Sequence, residues 1–133
     1  MSDTLEQMIA LARRARSRAH APYSTFKVGA VVRAEDGSCY AGANVENAAY
    51  PQGWCAEASA IAAMVAAGRT RIVEVVVLAE GEPLCTPCGG CRQKLIEFAG
   101  PETPVHLCGP QGLRRTVTLG ELLPLAFGPE HLG

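Results

Sequence analysis

Residues 72–79 of this 133-residue chain, IVEVVVLA, place the strongest constraint on its fold. The run is rich in valine, a β-branched residue that favours strands, and Glu74 is its one polar side chain. A strand that is apolar on both sides must be covered on both sides, which is typical of the central strand of an α/β sheet. We therefore expect a sheet with a helical layer on each face.

The patterns on either side of this run complete the expected sheet. A Glu35-Asp36-Gly37-Ser38 turn predicts a hairpin before the run, and a predicted helix and strand after it form a right-handed parallel crossover. The predicted strands are residues 26–34, 39–45, 72–79, 104–108 and 113–117, and the predicted helices are residues 4–19, 55–67, 88–98 and 118–123. Because helix 55–67 is apolar on nearly every side, we expect it to be buried between layers. The sequence predicts an α/β fold, a three-layer αβα sandwich around a mixed five-stranded sheet.

Length and charge exclude several classes of protein. A chain of 133 residues has the size of one domain, so we expect residues 1–133 to form a single domain. Twelve Lys and Arg balance thirteen Asp and Glu without a basic cluster, which argues against a nucleic acid partner. The longest apolar run, residues 60–67, is far shorter than the roughly 18 residues of a membrane span. The first residues lack a secretory leader, so we expect a cytoplasmic protein without a membrane partner.

Six cysteines stand out in a chain expected to lie in a reducing compartment, where thiols more often bind metals or react than form disulfides. Cys55 opens one predicted helix, and Cys88 and Cys91 lie in the first turn of another. Backbone amides and the positive end of the helix dipole stabilise thiolates at such positions. Three thiolates can hold one Zn²⁺ at three corners of a tetrahedron and leave the fourth open to water, as in a catalytic site.

Glu57 lies two residues after Cys55 and can reach the open side of such a metal as a general base. Zn²⁺ with three thiolates carries a net charge of −1, so it acidifies water less than a zinc held by neutral histidines. Activation of water would then depend on the base and on compensating positive charge. We expect Glu57 to supply the base, and the two helix ends with Arg92 to supply the compensation.

Five segments of the chain resemble a known family. Cys55-Ala56-Glu57 followed by Pro87-Cys88-x-x-Cys91 resembles the signature of the zinc-dependent cytidine deaminase superfamily. Other segments resemble its small-subunit, homotetrameric nucleoside deaminases. They are Tyr23-Ser24-x-Phe26-x-Val28-Gly29-Ala30, Asn44-Val45-Glu46-Asn47-Ala48-Ala49-Tyr50, Cys91-Arg92-Gln93 and Leu122-Leu123-Pro124-x-Ala126-Phe127. The resemblance spans residues 20–128 and implies the αβα fold that the pattern already predicts.

The resemblance also implies a role for each matched residue. The implied zinc ligands are Cys55, Cys88 and Cys91, the implied catalytic residue is Glu57, and the implied substrate-binding residues are Phe26, Asn44, Val45, Glu46, Tyr50, Ala56 and Phe127. Asn44 and Glu46 would hydrogen-bond the ribose, Phe26 would pack on the pyrimidine, and the backbone of Ala56 would meet the base edge. Each subunit of a homotetramer would hold one zinc ion, and Phe127 would reach into a neighbouring subunit's site.

The implied reaction is hydrolytic deamination of cytidine and 2′-deoxycytidine to uridine and 2′-deoxyuridine, with release of ammonia, as in pyrimidine salvage. Glu57 would carry protons from zinc-activated water to the base and to the departing amine. Asn44 and Glu46 alternate on an extended segment, so their side chains point the same way. Because a carboxylate at the sugar repels a nearby phosphate, we expect a nucleoside rather than a nucleotide as the substrate.

Two other metal sites fit part of the cysteine pattern. Cys85-x-x-Cys88-x-x-Cys91 resembles the start of an iron–sulfur run, but the usual next cysteine is absent and Glu57 is left without a role. A structural zinc held by Cys55, Cys85, Cys88 and Cys91 would make the protein a binding module without activity. An open zinc position and deaminase activity would both exclude this second site.

Two residues depart from the family pattern. Many relatives carry arginine directly after the catalytic glutamate, where this chain has Ala58. Blasticidin-type nucleoside deaminases also have alanine there, so an enzyme of that type is the alternative within the same chemistry. Trp54 stands before Cys55 in place of the smaller residues common in the family, and we expect it to reshape the pocket or a subunit contact.

Overall fold

A five-stranded mixed sheet forms the centre of the fold in this computed structural model, which describes residues 3–133. The strands are β1 (Val28–Ala34), β2 (Cys39–Ala43), β3 (Ile72–Ala79), β4 (Pro104–Gly109) and β5 (Gly112–Thr118), and the α-helices are α1 (Asp3–Ser17), α2 (Ala56–Ala66), α3 (Gly89–Ile96) and α4 (Leu119–Leu122). The strand order is β2-β1-β3-β4-β5, with β3 parallel to β4 and all other neighbours antiparallel. Within the described range, no helix is long and apolar enough to cross a membrane.

Both faces of β3 are buried, as the valine-rich run predicts. Val76 and Leu78 belong to a core cluster with α1, whereas Val75 and Val77 belong to a second cluster with α2 and α3. The helices contribute Leu5, Met8, Ile9 and Ala12 to the first cluster, and Ala60, Ile61, Met64 and Leu95 to the second. The predicted three-layer αβα sandwich with a mixed five-stranded sheet is therefore confirmed.

Glu74, the polar residue within the run, is fully paired across the sheet. Its carboxylate accepts two hydrogen bonds from Arg33, at 2.9 and 2.7 Å, and its other oxygen lies 2.6 Å from His106 Nε2. Burial opposes ionisation of Glu74, but these partners hold the pKa of its carboxyl below the ordinary value. The charge therefore fits inside the sheet without breaking the strand.

The prediction that the second helix is buried between layers is wrong. Ala62 and Ala63 are exposed on α2, and Val65 is 44% exposed. The helix buries the side that faces β1 and β2, and residues 3–133 leave its outer side uncovered. The single chain thus presents an apolar helix face to its surroundings.

The strand boundaries differ from the predicted ones next to residues 44–46. The first strand was expected from residue 26 and begins at Val28, while the second was expected to reach residue 45 and ends at Ala43. The Asn44 side chain accepts a hydrogen bond from the Val28 amide at 2.8 Å and donates one to the Phe26 carbonyl at 2.9 Å. The Asn44 backbone amide also donates to the Val28 carbonyl at 3.3 Å, so its side chain extends the pairing beyond the last strand residues and holds the two segments together where they line a site.

Two glycines let the helices approach the sheet closely. A methyl group built on Gly29 would lie 2.0 Å from the Ala12 carbonyl oxygen of α1. One built on Gly42 would lie 2.4 Å from the Ala60 amide nitrogen and 2.6 Å from the Ala56 carbonyl oxygen of α2. Only a residue without a β-carbon fits these contacts, so the first turn of α2 is placed directly against β2.

We expect Gly42→Ala to lower the free energy of unfolding by about 2 kcal/mol, because the added methyl group overlaps backbone atoms of α2. Chemical denaturation measures the change. Ala41→Val is the matched control, since Ala41 is exposed on the same strand and its side chain points to the other face. Equal stability of the wild-type and Gly42→Ala proteins would contradict the close contact.

Candidate active site

Two helix N-termini bring three thiols together. Cys55 is the N-cap residue of α2, Cys88 is the N-cap residue of α3, and Cys91 lies in the first turn of α3. Their three sulfur atoms lie within 4.8 Å of one another, with Cys55 Sγ 3.9 Å from Cys88 Sγ. Cys55 and Cys88 are exposed, whereas Cys91 is buried beneath them. The structure thus brings the three predicted ligands into one cluster.

The thiols respond differently to this environment. Burial disfavours ionisation of Cys88, yet hydrogen bonds from the backbone amide and thiol of Cys91 hold the pKa of Cys88 below its ordinary value. Burial is the main cause that raises the pKa values of Cys55 and Cys91, and negative charge on neighbouring groups adds to it. A thiophilic dication would favour all three thiolates at once, because a metal deprotonates the thiols that bind it. The donor set therefore fits zinc.

Glu57 lies in the first turn of α2, beside the thiol cluster. Its side chain is buried, with 5% of the residue exposed. Burial is the main cause that raises the pKa of Glu57, and a hydrogen bond with the Cys91 thiol opposes the shift. A carboxyl group that gains and loses a proton closer to neutral pH suits proton transfer in both directions.

A cleft of about 440 Å³ opens above the thiols and joins most of the predicted site residues. Nine of the eleven line it: Phe26, Asn44, Val45, Glu46, Tyr50, Cys55, Ala56, Glu57 and Cys88. Trp54 and Cys85 also line it, together with Val28 and Thr86, which the sequence reasoning missed. Thr86 directly precedes the Pro87-Cys88 motif, and this position beside a predicted ligand was the sequence signal that could have identified it.

Glu46 holds the chain segment that carries Phe26. Its carboxylate accepts hydrogen bonds from the amides of Tyr23 and Ser24, at 3.0 and 3.1 Å, and from the Ser24 hydroxyl. The hydrogen bond from the Ser24 side chain is the main cause that lowers the pKa of Glu46. Thr25, which stands between Ser24 and Phe26, has a φ of 59°. This backbone conformation costs energy for a residue with a branched side chain. The carboxylate therefore stabilises a strained turn at the edge of the cleft.

Ser24 and Asn44 complete the support of Phe26. The Ser24 hydroxyl oxygen accepts a hydrogen bond from the Phe26 amide at 3.0 Å, and the Asn44 amide group holds the Phe26 carbonyl. The Phe26 ring remains 45% exposed at the cleft. Each of the two predicted ribose-binding side chains thus already bonds the segment opposite it, and Asn44 retains one free amide hydrogen.

Phe127 lies outside the cleft of its own chain. Its ring stacks on His131, with ring centroids 4.9 Å apart, and remains 57% exposed. Its carbonyl accepts a hydrogen bond from Gln93 Nε2 at 2.7 Å, which ties the carboxyl-terminal segment to α3. The structure of one chain therefore does not bring Phe127 to the other predicted site residues.

Arg92, expected to contribute compensating charge, donates its hydrogen bonds to neutral groups. Its guanidinium donates to the carbonyl oxygens of Pro87 and Leu122, both at 2.7 Å, and to the Thr86 hydroxyl at 3.0 Å. All three acceptors are neutral. Arg92 connects the loop before Cys88 to α4, and the expectation that it compensates thiolate charge finds no contact in support.

Cys85 lies at the cleft but outside the group of sulfurs that could share one metal ion, which among residues 3–133 contains Cys55, Cys88 and Cys91. Burial raises the pKa of the Cys85 thiol. Its sulfur lies 3.9 Å from the Thr86 carbonyl oxygen. This arrangement favours three sulfur ligands with an open position over a closed site of four.

Comparison with known proteins decides the family. A family model described as the cytidine and deoxycytidylate deaminase zinc-binding region matches residues 2–107. The chain belongs to this deaminase family. The match confirms the resemblance seen in the cysteine and glutamate motifs and supports zinc as the metal of the thiol cluster.

Individual relatives agree with this membership in the deaminase family. The chain is 41% identical over 128 residues to a cytidine deaminase of Sporosarcina psychrophila, covering 96% of this chain and 94% of the relative. A solved cytidine deaminase from Burkholderia pseudomallei superposes with a TM-score of 0.87 at 41% identity, covering 96% of this chain and 100% of that one. A cytidine deaminase structure from Mycobacterium tuberculosis gives a TM-score of 0.81 at 35% identity, covering 96% and 99%.

Metal analysis of cysteine variants tests the thiol cluster. We expect Cys88→Ser to lose bound zinc, because it removes one of the three clustered sulfurs, and Cys85→Ser to retain one zinc ion per chain. Cys85→Ser is the matched control, since the same change is made three residues away in the same cleft. Loss of zinc from Cys85→Ser would support the closed four-sulfur site instead.

Proposed function

We propose that this protein is a zinc-dependent hydrolase that converts cytidine and 2′-deoxycytidine to uridine and 2′-deoxyuridine and releases ammonia. The observation that carries the proposal is the buried Glu57 carboxyl group beside three clustered thiols at a cleft of about 440 Å³. That volume falls in the range typical of small-molecule sites, about 300–1,000 Å³. Likeness to cytidine deaminases over nearly the whole chain supports the choice of substrate.

Cys55, Cys88 and Cys91 are the proposed zinc ligands. The sulfurs lie at two helix N-termini, and backbone amides of α3 favour the thiolate form of Cys88. Bound zinc would act as a Lewis acid on water, and because three thiolates weaken that effect, removal of the water proton would depend on Glu57. Three protein ligands would leave room for a water molecule on the side of the cleft.

Glu57 moves the protons in the proposed reaction. Its carboxylate accepts a proton from the attacking water and delivers it to N3 of the base, so that the water oxygen bonds to C4. Glu57 then accepts the remaining hydroxyl proton and delivers it to the exocyclic amine. The C4–N bond breaks, ammonia leaves, and C4 becomes the carbonyl carbon of uridine. The raised pKa of Glu57 supports both directions of transfer.

The remaining cleft residues bind the nucleoside in this proposal. Phe26 packs on the pyrimidine ring, and the backbone of Ala56 meets the base edge at the start of α2. Glu46 and the free amide hydrogen of Asn44 contact the ribose hydroxyls. Because these two side chains also hold the Phe26 segment, sugar and base recognition depend on the same hydrogen bonds. Val45 and Tyr50 line the cleft beside them.

Assembly into a homotetramer is part of the proposal, as is a cytoplasmic location. The uncovered apolar face of α2 and the 74% exposed Tyr50 beside the cleft are surfaces that a second copy could bury. Phe127 is held on the outside of its own chain, where it could complete a neighbouring site.

Sedimentation at micromolar concentration should give four times the chain mass, and a monomer with full activity would overturn this assembly.

We expect Glu57→Gln to keep the fold and the bound zinc but to lower kcat by at least about 100-fold, because the amide cannot carry protons. Ultraviolet absorbance follows cytidine loss, and metal analysis confirms that the site is loaded. Glu97→Gln, an exposed change of the same type just beyond α3, is the control and should retain activity. Wild-type turnover by zinc-loaded Glu57→Gln would show that another group transfers the protons.

Cytidine and cytidine 5′-monophosphate should differ strongly as substrates, because an ionised Glu46 at the sugar disfavours a second negative charge nearby. We expect kcat/KM for the nucleotide to be lower by about 100-fold or more. Blasticidin in the same assay tests the alternative substrate. Comparable kcat/KM values for cytidine and its monophosphate would refute nucleoside selectivity.

A further inference from the structure

The proposed zinc site carries more negative charge than the metal offsets. Zinc binding would convert three thiols into thiolates, so the site passes from neutral to a net charge of −1. Ionised Glu57, buried beside it, adds a second negative charge. The two helix N-termini supply only partial positive charges of roughly half a unit each. A nearby cation would therefore favour the zinc-bound state.

Two cationic side chains lie on α3, Arg92 and Lys94. Three of the five N–H groups of Arg92 donate to neutral acceptors on the loop before Cys88 and on α4, and none of these acceptors belongs to a thiol or to Glu57. Ala58, directly after Glu57, supplies no charge. Lys94 is the remaining cation of the helix that carries Cys88 and Cys91.

The Lys94 ammonium folds back toward the start of its own helix. A methyl group built on Gly90 would lie 3.6 Å from Lys94 Nζ and 3.9 Å from Cys88 Sγ, so both atoms lie within 4 Å of one point. Gly90 stands between the two cysteines of α3 in sequence. Because Gly90 has no side chain, nothing of that residue separates the ammonium from the thiol.

Lys94 belongs to the last turn of α3, where the helix dipole favours a cation, yet its ammonium reaches back toward Gly90 in the first turn. A cation near a helix N-terminus is unfavourable unless negative charge lies close by. The anions available to Lys94 at this end of α3 are the thiolates and Glu57.

We propose that Lys94, in the last turn of α3, is the charge-compensating residue of the zinc site and offsets the thiolates and Glu57 through an ammonium group that reaches back to Gly90. The proposal rests on the zinc site of the proposed function. Lys94 acts through the ligands and does not touch the substrate. The main predicted effect of Lys94 is therefore on the affinity of the protein for zinc.

Zinc affinity, measured by competition with a neutral chelator at fixed pH, tests the proposal. We expect Lys94→Met to bind zinc about fivefold more weakly, as for a partly screened charge pair, and Lys94→Arg to stay within about twofold of wild type. Arg14→Met is the control. Arg14 is an exposed residue of α1, so this change removes the same charge on the other face of the sheet. Unchanged affinity in Lys94→Met, or equal weakening in Lys94→Arg, would overturn the proposal.

Salt dependence separates charge compensation from a structural effect. Raising ionic strength should weaken zinc binding by the wild-type protein and by Arg14→Met, and weaken it less in Lys94→Met, whose compensating charge is already gone. Parallel salt dependence in all three proteins would contradict the proposal. A wild-type protein that binds no zinc or deaminates no nucleoside would instead refute the proposed function, so the two failures are distinguishable.

Discussion

The convergence of two helix N-termini on one side of the sheet is the constraint on which the rest of the structure depends. Cys55 ends a loop and starts α2, and Cys88 does the same for α3, so each sulfur is fixed by the first turn of a packed helix. The close contact of Gly42 with α2 and the parallel β3-α3-β4 crossover place both helix starts at the same edge. Three sulfurs within 4.8 Å are the result.

The same helix starts set the electrostatics of the site. Backbone amides favour the Cys88 thiolate, while burial raises the pKa values of Cys55, Cys91 and Glu57. These opposing shifts describe a site that lacks positive charge, and a dication supplies what the helix ends alone do not. The wall of the cleft depends on hydrogen bonds. Glu46, Ser24 and Asn44 use them to hold the strained turn at Thr25 and the Phe26 segment that follows it.

Periodicity and motif spacing predicted much of this arrangement. The run IVEVVVLA specified a doubly covered central strand, and the cysteine positions at predicted helix starts identified the cluster, because both depend on local sequence alone. The burial of α2 was predicted wrongly, and the hydrogen-bond partners of Arg92 were not predicted. The sequence of an apolar helix does not indicate whether its own chain or another surface covers it. The hydrogen-bond partners of a guanidinium depend on which acceptors the tertiary fold brings within reach. The backbone contacts of Asn44 and Glu46 likewise required the folded chain.

The central claim is a zinc ion held by three thiolates with one position open to the cleft, and X-ray absorption at the zinc edge of the purified protein tests it most directly. The account predicts three sulfur neighbours at about 2.3 Å and one lighter oxygen or nitrogen neighbour at about 2.0 Å. The lighter neighbour should change when a nucleoside analogue binds. Four sulfur neighbours at the same distance, unaffected by any nucleoside, would contradict the account and make the metal structural.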